Sequence, residues 1–170
     1  MWYTSWKENS MLVDPRQEWQ TPDDFWNILD TEFHFDLDAA ASPHNARCKK
    51  YYTAEQDSLS DSCPWITADT HRVFINPGFS EIGPWCAKAL REVEKDEAAV
   101  VVIISLISPS TGWWMKYATQ AAVIRLIGGR RIQFRPAGGI RQSSNARENC
   151  ILIFEHSSKN QTMYTWDWTK

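Results

Sequence analysis

The amino-acid sequence predicts an α/β fold, with an open and mostly parallel sheet that carries helices on both faces. The segment AAVVVIISLIS, residues 98–108, is apolar without alternation, as expected of a central parallel strand that is buried on both sides. Shorter apolar segments at 73–75, 123–128 and 151–155 alternate with helix-like segments. That order is typical of parallel strands joined by crossover helices.

The first half of the chain predicts an arm, a helix and a strand. Residues 1–17 are polar with scattered aromatic side chains and predict an N-terminal arm, and 18–170 have the length of a single domain. In TPDDFWNILDTEF, Thr21 is the predicted N-cap and Pro22 takes the first helical position. FDLDAAAS follows as a predicted strand that runs into a loop of small residues.

The second half predicts alternating strands and helices. VFI at 73–75 is a short buried strand, 84–95 is an amphipathic helix, and WWMKYATQAA at 113–122 is another helix. MYTWDW at 163–168 alternates, and we predict that it pairs with the strand at 151–155.

The charge is unevenly distributed. The net charge is −3, yet residues 98–147 contain no Asp or Glu and carry +7. Clustered basic residues indicate a polyanionic partner such as a nucleic acid. The alternative is a solvated surface whose acidic partners come from other segments. The basic residues are Lys116, Arg125, Arg130, Arg131, Arg135, Arg141 and Arg147.

The sequence argues against membrane, secreted and metal-binding classes. It has no run of 18 apolar residues, and its N-terminus lacks the basic-then-apolar order of a signal peptide. His44 and Cys48 are four residues apart, but no second ligand pair follows, so we expect no metal site. Without a CxxC pair, reduced thiols in a cytoplasmic protein are expected at Cys48, Cys63, Cys86 and Cys150.

Asn-Pro-Gly-Phe, residues 76–79, directly follows a predicted strand. Open α/β sheets bind ligands at the carboxyl ends of their strands. The Asn76 side chain and the Pro77 carbonyl can offer two neighbouring acceptors, which suit an amino group with two hydrogens, and Phe79 offers a flat face to a ring. The segment therefore predicts a pocket for an amino-bearing base flipped out of a duplex. The alternative is a tight turn without a chemical role.

Five segments carry a family resemblance: EWQTPDDFW, FDLDAAASPHNARC, YYTAEQDSL, VFINPGFSEIGPWCAKA and AAVVVIISL. In their order and spacing, over about residues 18–154, the sequence resembles the phage DNA N-6-adenine-methyltransferases, the Dam-like phage family. The resemblance implies a Rossmann-like methyltransferase fold, S-adenosylmethionine as the cofactor, double-stranded DNA as the partner and no metal. It also implies a phage or prophage protein in the bacterial cytoplasm, and that origin would suggest protection of DNA from host restriction.

The resemblance assigns roles residue by residue. Asn76, Pro77 and Phe79 match the catalytic motif usually written Asn-Pro-Pro-Tyr/Phe, with Gly78 in place of the second proline. The implied cofactor-binding residues are Thr21, Pro22, Asp36, Asp38, Asn45 and Asp57. The arginine stretch from Arg125 to Arg147 would face phosphate, and a small DNA-contacting insertion at about 128–149 would use Arg130, Arg131, Arg135, Arg141 and Arg147. Lys88, on the helix after the motif, is expected to face solvent or DNA.

The implied reaction is methyl transfer from S-adenosylmethionine to the exocyclic amino nitrogen, N6, of adenine in DNA. Hydrogen bonds from that amino group to Asn76 and Pro77 would favour a more tetrahedral nitrogen. Two alternatives stay open. Gly78 makes the loop more flexible, which would suit a weakened DNA- or cofactor-binding module of the same fold. The other is methylation of a different amino group, such as cytosine N4 or a base in RNA.

Overall fold

The structure is a computed structural model that describes residues 19–136, 147–157 and 161–170. The predicted N-terminal arm, Arg141 and the middle of the predicted insertion lie outside the described residues. The strands are β1 (Trp19–Gln20), β2 (Leu37–Asp38), β3 (Lys50–Tyr51), β4 (Arg72–Ile75), β5 (Val100–Leu106), β6 (Val123–Gly128), β7 (Arg135–Pro136), β8 (Asn149–Glu155) and β9 (Thr162–Asp167). The α-helices are α1 (Asp23–Phe33), α2 (Ile82–Val93) and α3 (Gly112–Lys116).

Seven strands form one sheet in the order β3-β2-β4-β5-β8-β6-β9. β8 runs antiparallel to its neighbours β5 and β6, and the remaining neighbours in this sheet are parallel. The predicted α/β architecture with an open, mostly parallel sheet is therefore confirmed. The chain leaves β2 toward β3 on one side and returns to β4 on the other. The gap between β2 and β4 is the point where the strand order reverses.

Helices cover both faces of the sheet, because side chains of a strand alternate between its two faces. On β5, Val102 packs with Phe25 and Leu29 of α1. Ile103, the next residue, packs on the opposite face with Cys86 of α2. Each face is thus a separate apolar layer, and the continuous apolar sequence of β5 reflects burial on both sides.

Local contacts move several predicted boundaries. Helix α1 begins at Asp23 with Pro22 as its N-cap, so the expectation that Thr21 caps this helix was wrong. The Thr21 hydroxyl instead accepts a hydrogen bond from Asn76. FDLDAAAS contributes only Leu37–Asp38 to the sheet, because its small residues turn away toward the loop before β3.

The last strand has a different partner from the predicted one. β9 pairs in parallel with β6, not with β8. Both edges of β8 are already occupied, by β5 on one side and β6 on the other. β9 therefore has no free edge of β8 to pair with, and it joins the sheet at the outer edge of β6.

Lys88 is not at the surface. Its side chain is only 1% exposed, and its Nζ donates hydrogen bonds to the backbone carbonyls of Ser58, Ser60 and Cys63 at 2.8, 2.7 and 2.7 Å. The ammonium also lies 4.9 Å from the centroid of the Trp65 ring. The expectation that Lys88 faces solvent or DNA was wrong, since this side chain fixes the loop that leads from β3 to β4.

Within the described residues, no helix has the length and hydropathy needed to span a bilayer. The four cysteines are free thiols, as predicted.

Replacing Lys88 by Met is expected to lower the free energy of unfolding by about 3 kcal/mol, because three loop carbonyls lose a charged donor. Urea denaturation measures this change. Lys49→Met, at an exposed position, is the matched control and should change stability by less than about 0.5 kcal/mol. Equal effects of the two substitutions would contradict a structural role for Lys88.

Candidate active site

The candidate site lies where β2 and β4 end, at the reversal of strand order. β2 and β4 pair in parallel with Asp38 opposite Phe74, so their carboxyl ends meet at one edge of the sheet. Asn76 follows β4 at this edge. The cleft there is lined by Trp19, Thr21, Asp38, Ala40, Asn45, Arg47, Phe74 and Asn76.

Asn76 is held by the segment that precedes α1. Its Nδ2 donates to the carbonyl oxygen of Trp19 at 3.3 Å and to Oγ1 of Thr21 at 3.1 Å. No donor from the described part of the chain contacts its Oδ1. The side chain is therefore oriented through its amide nitrogen, and its carbonyl oxygen remains an acceptor for a ligand.

The three residues after Asn76 form the short connection to α2. Pro77 is buried. Phe79 is half-buried and packs against both apolar layers, with its ring edge-on to Phe134 at a centroid distance of 5.8 Å. Gly78 has no positive φ, so this loop does not use the left-handed conformation that favours glycine.

Asp38 is a buried carboxylate at the end of β2, only 2% exposed. Its Oδ1 accepts from the backbone N–H of Ala40 at 3.2 Å, and its Oδ2 from that of Arg47 at 3.0 Å. Burial raises the pKa of Asp38 to about 6, although both hydrogen bonds oppose the shift. Ionisation of this carboxyl group therefore costs more free energy in the folded protein than in the unfolded chain.

Asn45 shapes the same loop. Its Oδ1 accepts from the backbone N–H of Ser42 at 2.6 Å, and the side chain lies along the cleft. Together with Asp38, this side chain fixes the path of residues 39–47 over the site.

Arg47 was not predicted as a site residue. Its side chain is 19% exposed, and its Nη1 forms an ion pair with Oδ1 of Asp23 at 2.6 Å. Its Nε is buried and has no hydrogen-bond partner among residues 19–136, 147–157 and 161–170. The sequence contains no signal for this position, because a single arginine in a loop is usually a surface residue.

Three of the predicted cofactor-binding residues do not line the cleft: Pro22, Asp36 and Asp57. Asp36 is at the opposite end of β4, where its Oδ2 accepts from the backbone N–H groups of His71 and Arg72 at 2.9 Å. Asp57 is exposed and ends a 3₁₀ turn, with a φ of 51°. It follows β3 and so lies on the same side of the sheet as the cleft. Pro22 is buried beside Thr21, at the start of α1.

The cleft is narrow, since β1 lies against Asn76. Its volume is about 10 Å³, which is room for about one water molecule. A nucleoside-sized ligand exceeds this volume. β1 borders the cleft through Trp19 and pairs with β7, in the basic segment that contains Arg135.

The four predicted DNA-binding arginines that the structure describes lie on segments that leave or enter the sheet at the same edge. β6 is parallel to β4, so the chain leaves β6 at the edge where Asn76 lies. Arg130 then pairs with Asp24 and Arg131 with Glu148 in exposed ion pairs. Arg135 lies in β7, and Arg147 lies just before β8.

Arg125 is an exception, and the expectation that it faces phosphate was wrong. Its side chain is 12% exposed and forms a two-pronged ion pair with Glu32. The guanidinium also lies over the rings of Phe33 and Trp166, at 5.5 and 5.2 Å from their centroids. Arg125 therefore joins β6 to α1 and is committed to the fold.

The described residues hold no group of three or more His, Cys, Asp or Glu side chains arranged for a metal ion.

Comparison with known proteins gives one family. Residues 8–167 match the model of the family described as DNA N-6-adenine-methyltransferase (Dam). Over 154 residues the chain is 28% identical to a DNA N-6-adenine-methyltransferase of Haemophilus phage HP1 (strain HP1c1), covering 88% of this chain and 84% of that relative. Over 113 residues it is 31% identical to a DNA N-6-adenine-methyltransferase of Escherichia phage T1. That alignment covers 64% of this chain and 44% of the T1 protein.

The raised pKa of Asp38 makes stability depend on pH. The folded protein holds this proton more tightly than the unfolded chain, so the stabilisation is lost as pH rises from about 4 to about 6. Over this interval the free energy of unfolding of the native protein should fall by on the order of 3 kcal/mol relative to that of Asp38→Asn. Urea denaturation of both proteins at several pH values measures the difference. A difference that is constant with pH would contradict the shift.

Proposed function

The chain belongs to the DNA N-6-adenine-methyltransferase (Dam) family, as its sequence resemblance implied, and we propose that it transfers a methyl group from S-adenosylmethionine to N6 of adenine in double-stranded DNA. The observation that carries this proposal is the placement of Asn76. Its free Oδ1 lies at the carboxyl edge between β2 and β4, beside a buried carboxylate. This is the position where open α/β sheets bind ligands.

The residues of the cleft fit the chemistry of the cofactor. S-adenosylmethionine carries an ammonium, a carboxylate and ribose hydroxyls, and when bound it supplies a reactive methyl group on a sulfonium. The Asp38 carboxylate can accept from cationic or hydroxyl groups, and Thr21 and Asn45 add neutral polar atoms. The buried Nε–H of Arg47 provides a donor for an anion. We therefore assign cofactor binding to these four residues, with Pro22 supporting Thr21.

Asp36 and Asp57 take different places in this proposal. Asp36 stabilises the start of β4 through two backbone hydrogen bonds, far from the strand ends that form the cleft. Asp57 lies beyond β3 on the loop that Lys88 anchors through Ser58. We retain Asp57 as a candidate for the adenine end of the cofactor, because its loop follows the neighbouring strand at the same edge.

Asn76 and Pro77 position the target amino group. The amino nitrogen of adenine is a weak nucleophile, because its lone pair is delocalised into the ring. Hydrogen bonds from its two hydrogens to Oδ1 of Asn76 and to the carbonyl oxygen of Pro77 favour a more tetrahedral nitrogen. The proton is then released to solvent. The protein contributes positioning and electrostatic stabilisation, without a covalent intermediate.

Phe79 supports the base in this arrangement. Its half-buried ring is fixed by both apolar layers and by Phe134, so only a limited part of it can contact a ligand. An adenine must leave the duplex to reach this depth, which requires base flipping. We propose that Phe79 provides the apolar contact for the flipped ring.

DNA approaches from the edge where the basic segment lies. Arg130, Arg131, Arg135 and Arg147 all lie on chain that leaves or enters the sheet at this edge. The ion pairs of Arg130 and Arg131 are exposed and therefore weak, so phosphate groups can replace Asp24 and Glu148. We propose these arginines as phosphate contacts, together with Arg141, which lies outside the described residues.

We place this activity in the cytoplasm of a bacterial host. Both relatives named above come from bacteriophages. Methylation of adenine there would protect phage DNA from restriction by the host.

Methyl transfer from radiolabelled S-adenosylmethionine to unmethylated DNA tests the proposed reaction. Asn76→Ala should lower the rate at least about 100-fold, because it removes an acceptor that aligns the amino group. Asn27→Ala, at an exposed position of α1, is the matched control and should keep the native rate.

Analysis of the labelled base separates the alternatives. Methyladenine as the product is expected. Methylcytosine would move the protein to a different amino-methyltransferase class. An absence of label despite measurable binding of cofactor and DNA would reduce the protein to a binding module.

Gly78→Pro tests whether the glycine weakens the site. Gly78 has no positive φ and its N–H makes no hydrogen bond with the described residues, so a proline at this position removes no hydrogen bond. We expect the free energy of unfolding to rise by about 0.5 kcal/mol, because the unfolded chain loses conformational freedom. Thermal unfolding and the methyl-transfer assay measure both effects. A collapse of activity with unchanged folding would show that the glycine is required.

A further inference from the structure

We propose that Arg47 binds the α-carboxylate of the cofactor and, together with Asp38, recognises its amino-acid end. This inference rests on the proposed function, since it assigns a subsite within the same cleft. It gives Arg47 a specificity role: the protein would distinguish the intact cofactor from fragments that lack the amino-acid group.

The first observation is the unused donor edge of Arg47. Asp23 takes Nη1, whereas Nε and Nη2 make no hydrogen bond with the part of the chain that the structure describes. Nε and Nη2 together form the edge of a guanidinium that binds a carboxylate through two parallel N–H groups. Nε is also buried, and a buried donor without a partner is unfavourable. A carboxylate placed against this edge would satisfy it.

The second observation is the position of Arg47 beside Asp38. The backbone N–H of Arg47 donates to Oδ2 of Asp38 at 3.0 Å, and both residues line the cleft. The cleft is therefore lined by a carboxylate and by a residue that carries a guanidinium, two groups of opposite charge. An α-amino acid carries an ammonium and a carboxylate on one carbon. Asp38 suits the ammonium, and Arg47 suits the carboxylate.

A DNA phosphate is the other anion that could reach Arg47. The basic residues that face the DNA lie on the segment after β6, whereas Arg47 is only 19% exposed and lies next to a carboxylate that is 2% exposed. A phosphate at that depth would meet the negative charge of Asp38 without a compensating ammonium. The charges around Arg47 therefore favour the cofactor.

Asp23 holds the guanidinium in place. Its carboxylate is 69% exposed and therefore well hydrated. The hydrogen bond from Arg47 lowers the pKa of Asp23. Since Asp23 occupies the opposite edge of the guanidinium, it can orient Arg47 while Nε and Nη2 contact a ligand.

Calorimetric binding of two probes tests the proposal. S-adenosylhomocysteine keeps the amino-acid end, and 5′-methylthioadenosine lacks it. Arg47→Gln should lower the affinity for S-adenosylhomocysteine at least about tenfold. It should change the affinity for 5′-methylthioadenosine by less than about twofold. The affinity of Arg47→Lys for S-adenosylhomocysteine should lie between those of the native protein and Arg47→Gln, because an ammonium keeps the charge without the two-pronged geometry. Arg91→Gln, at an exposed arginine of α2 that pairs with Asp61, is the matched control.

The outcomes separate this inference from the proposed function. Unchanged binding of S-adenosylhomocysteine by Arg47→Gln would overturn the inference, as would equal losses for both probes, which indicate a distorted cleft. Weaker DNA binding with unchanged binding of S-adenosylhomocysteine would assign Arg47 to phosphate and also overturn it. If the native protein methylates DNA in these cases, the proposed function stands. A native protein that neither binds the probes nor methylates DNA refutes both.

Discussion

The parallel pairing of β2 with β4 determines where this protein can have a site. It consists of two residue pairs, Leu37 with Val73 and Asp38 with Phe74. Nevertheless, it brings the carboxyl ends of two strands together at the point where the strand order reverses. Asp38 and Asn76 come from segments that are 38 residues apart in sequence, and they meet only because this pairing forms. The apolar layers on both faces of β4 fix it in place.

The site contains polar groups at buried positions where apolar groups would make the folded protein more stable. Asp38 is buried at the end of an apolar strand, and Arg47 has a buried Nε–H without a partner. Both features cost free energy in the folded protein. Protein interiors tolerate such costs where a ligand later uses the groups, and functional sites are where local rules are most often broken. Lys88 differs from them, because its hydrogen bonds and its ring contact all connect segments of the fold.

Sequence patterns predicted those parts of the fold that depend on a repeating local signal. β5 was evident because every residue is apolar, and β6 was predicted with its observed boundaries. The partner of β9 was not predicted correctly, because an alternating pattern indicates a strand but does not show which strand edge remains free. The environment of Lys88 was missed for a similar reason. Helical spacing places a residue on a face, but the loop that covers this face comes from elsewhere in the chain.

In the candidate site, too, some residues were predicted from the sequence and others depend on the tertiary structure. The resemblance drew attention to Thr21, Asp38, Asn45 and Asn76, and the structure brings these four side chains to one cleft. It places Asp36 at the opposite end of β4, although Asp36 and Asp38 are only two residues apart. Arg47 had no signal, since its position depends on hydrogen bonds of Asp38 and Asn45 within an irregular loop. Only the tertiary structure shows that Arg47 lines the cleft.

The antiparallel strand β8 has a consequence for synthesis of the chain. β6 contacts the rest of the sheet only through β8 and β9, which both follow it in sequence. While residues 129–148 are emerging from the ribosome, β6 has no partner strand, and the edge of β5 that later pairs with β8 is open. Unpaired edges of this kind are the usual sites of misassociation during folding. A nascent chain that stalls at this stage would therefore expose unpaired edges of β5 and β6 until residues 149–155 leave the exit tunnel and β8 pairs with both strands.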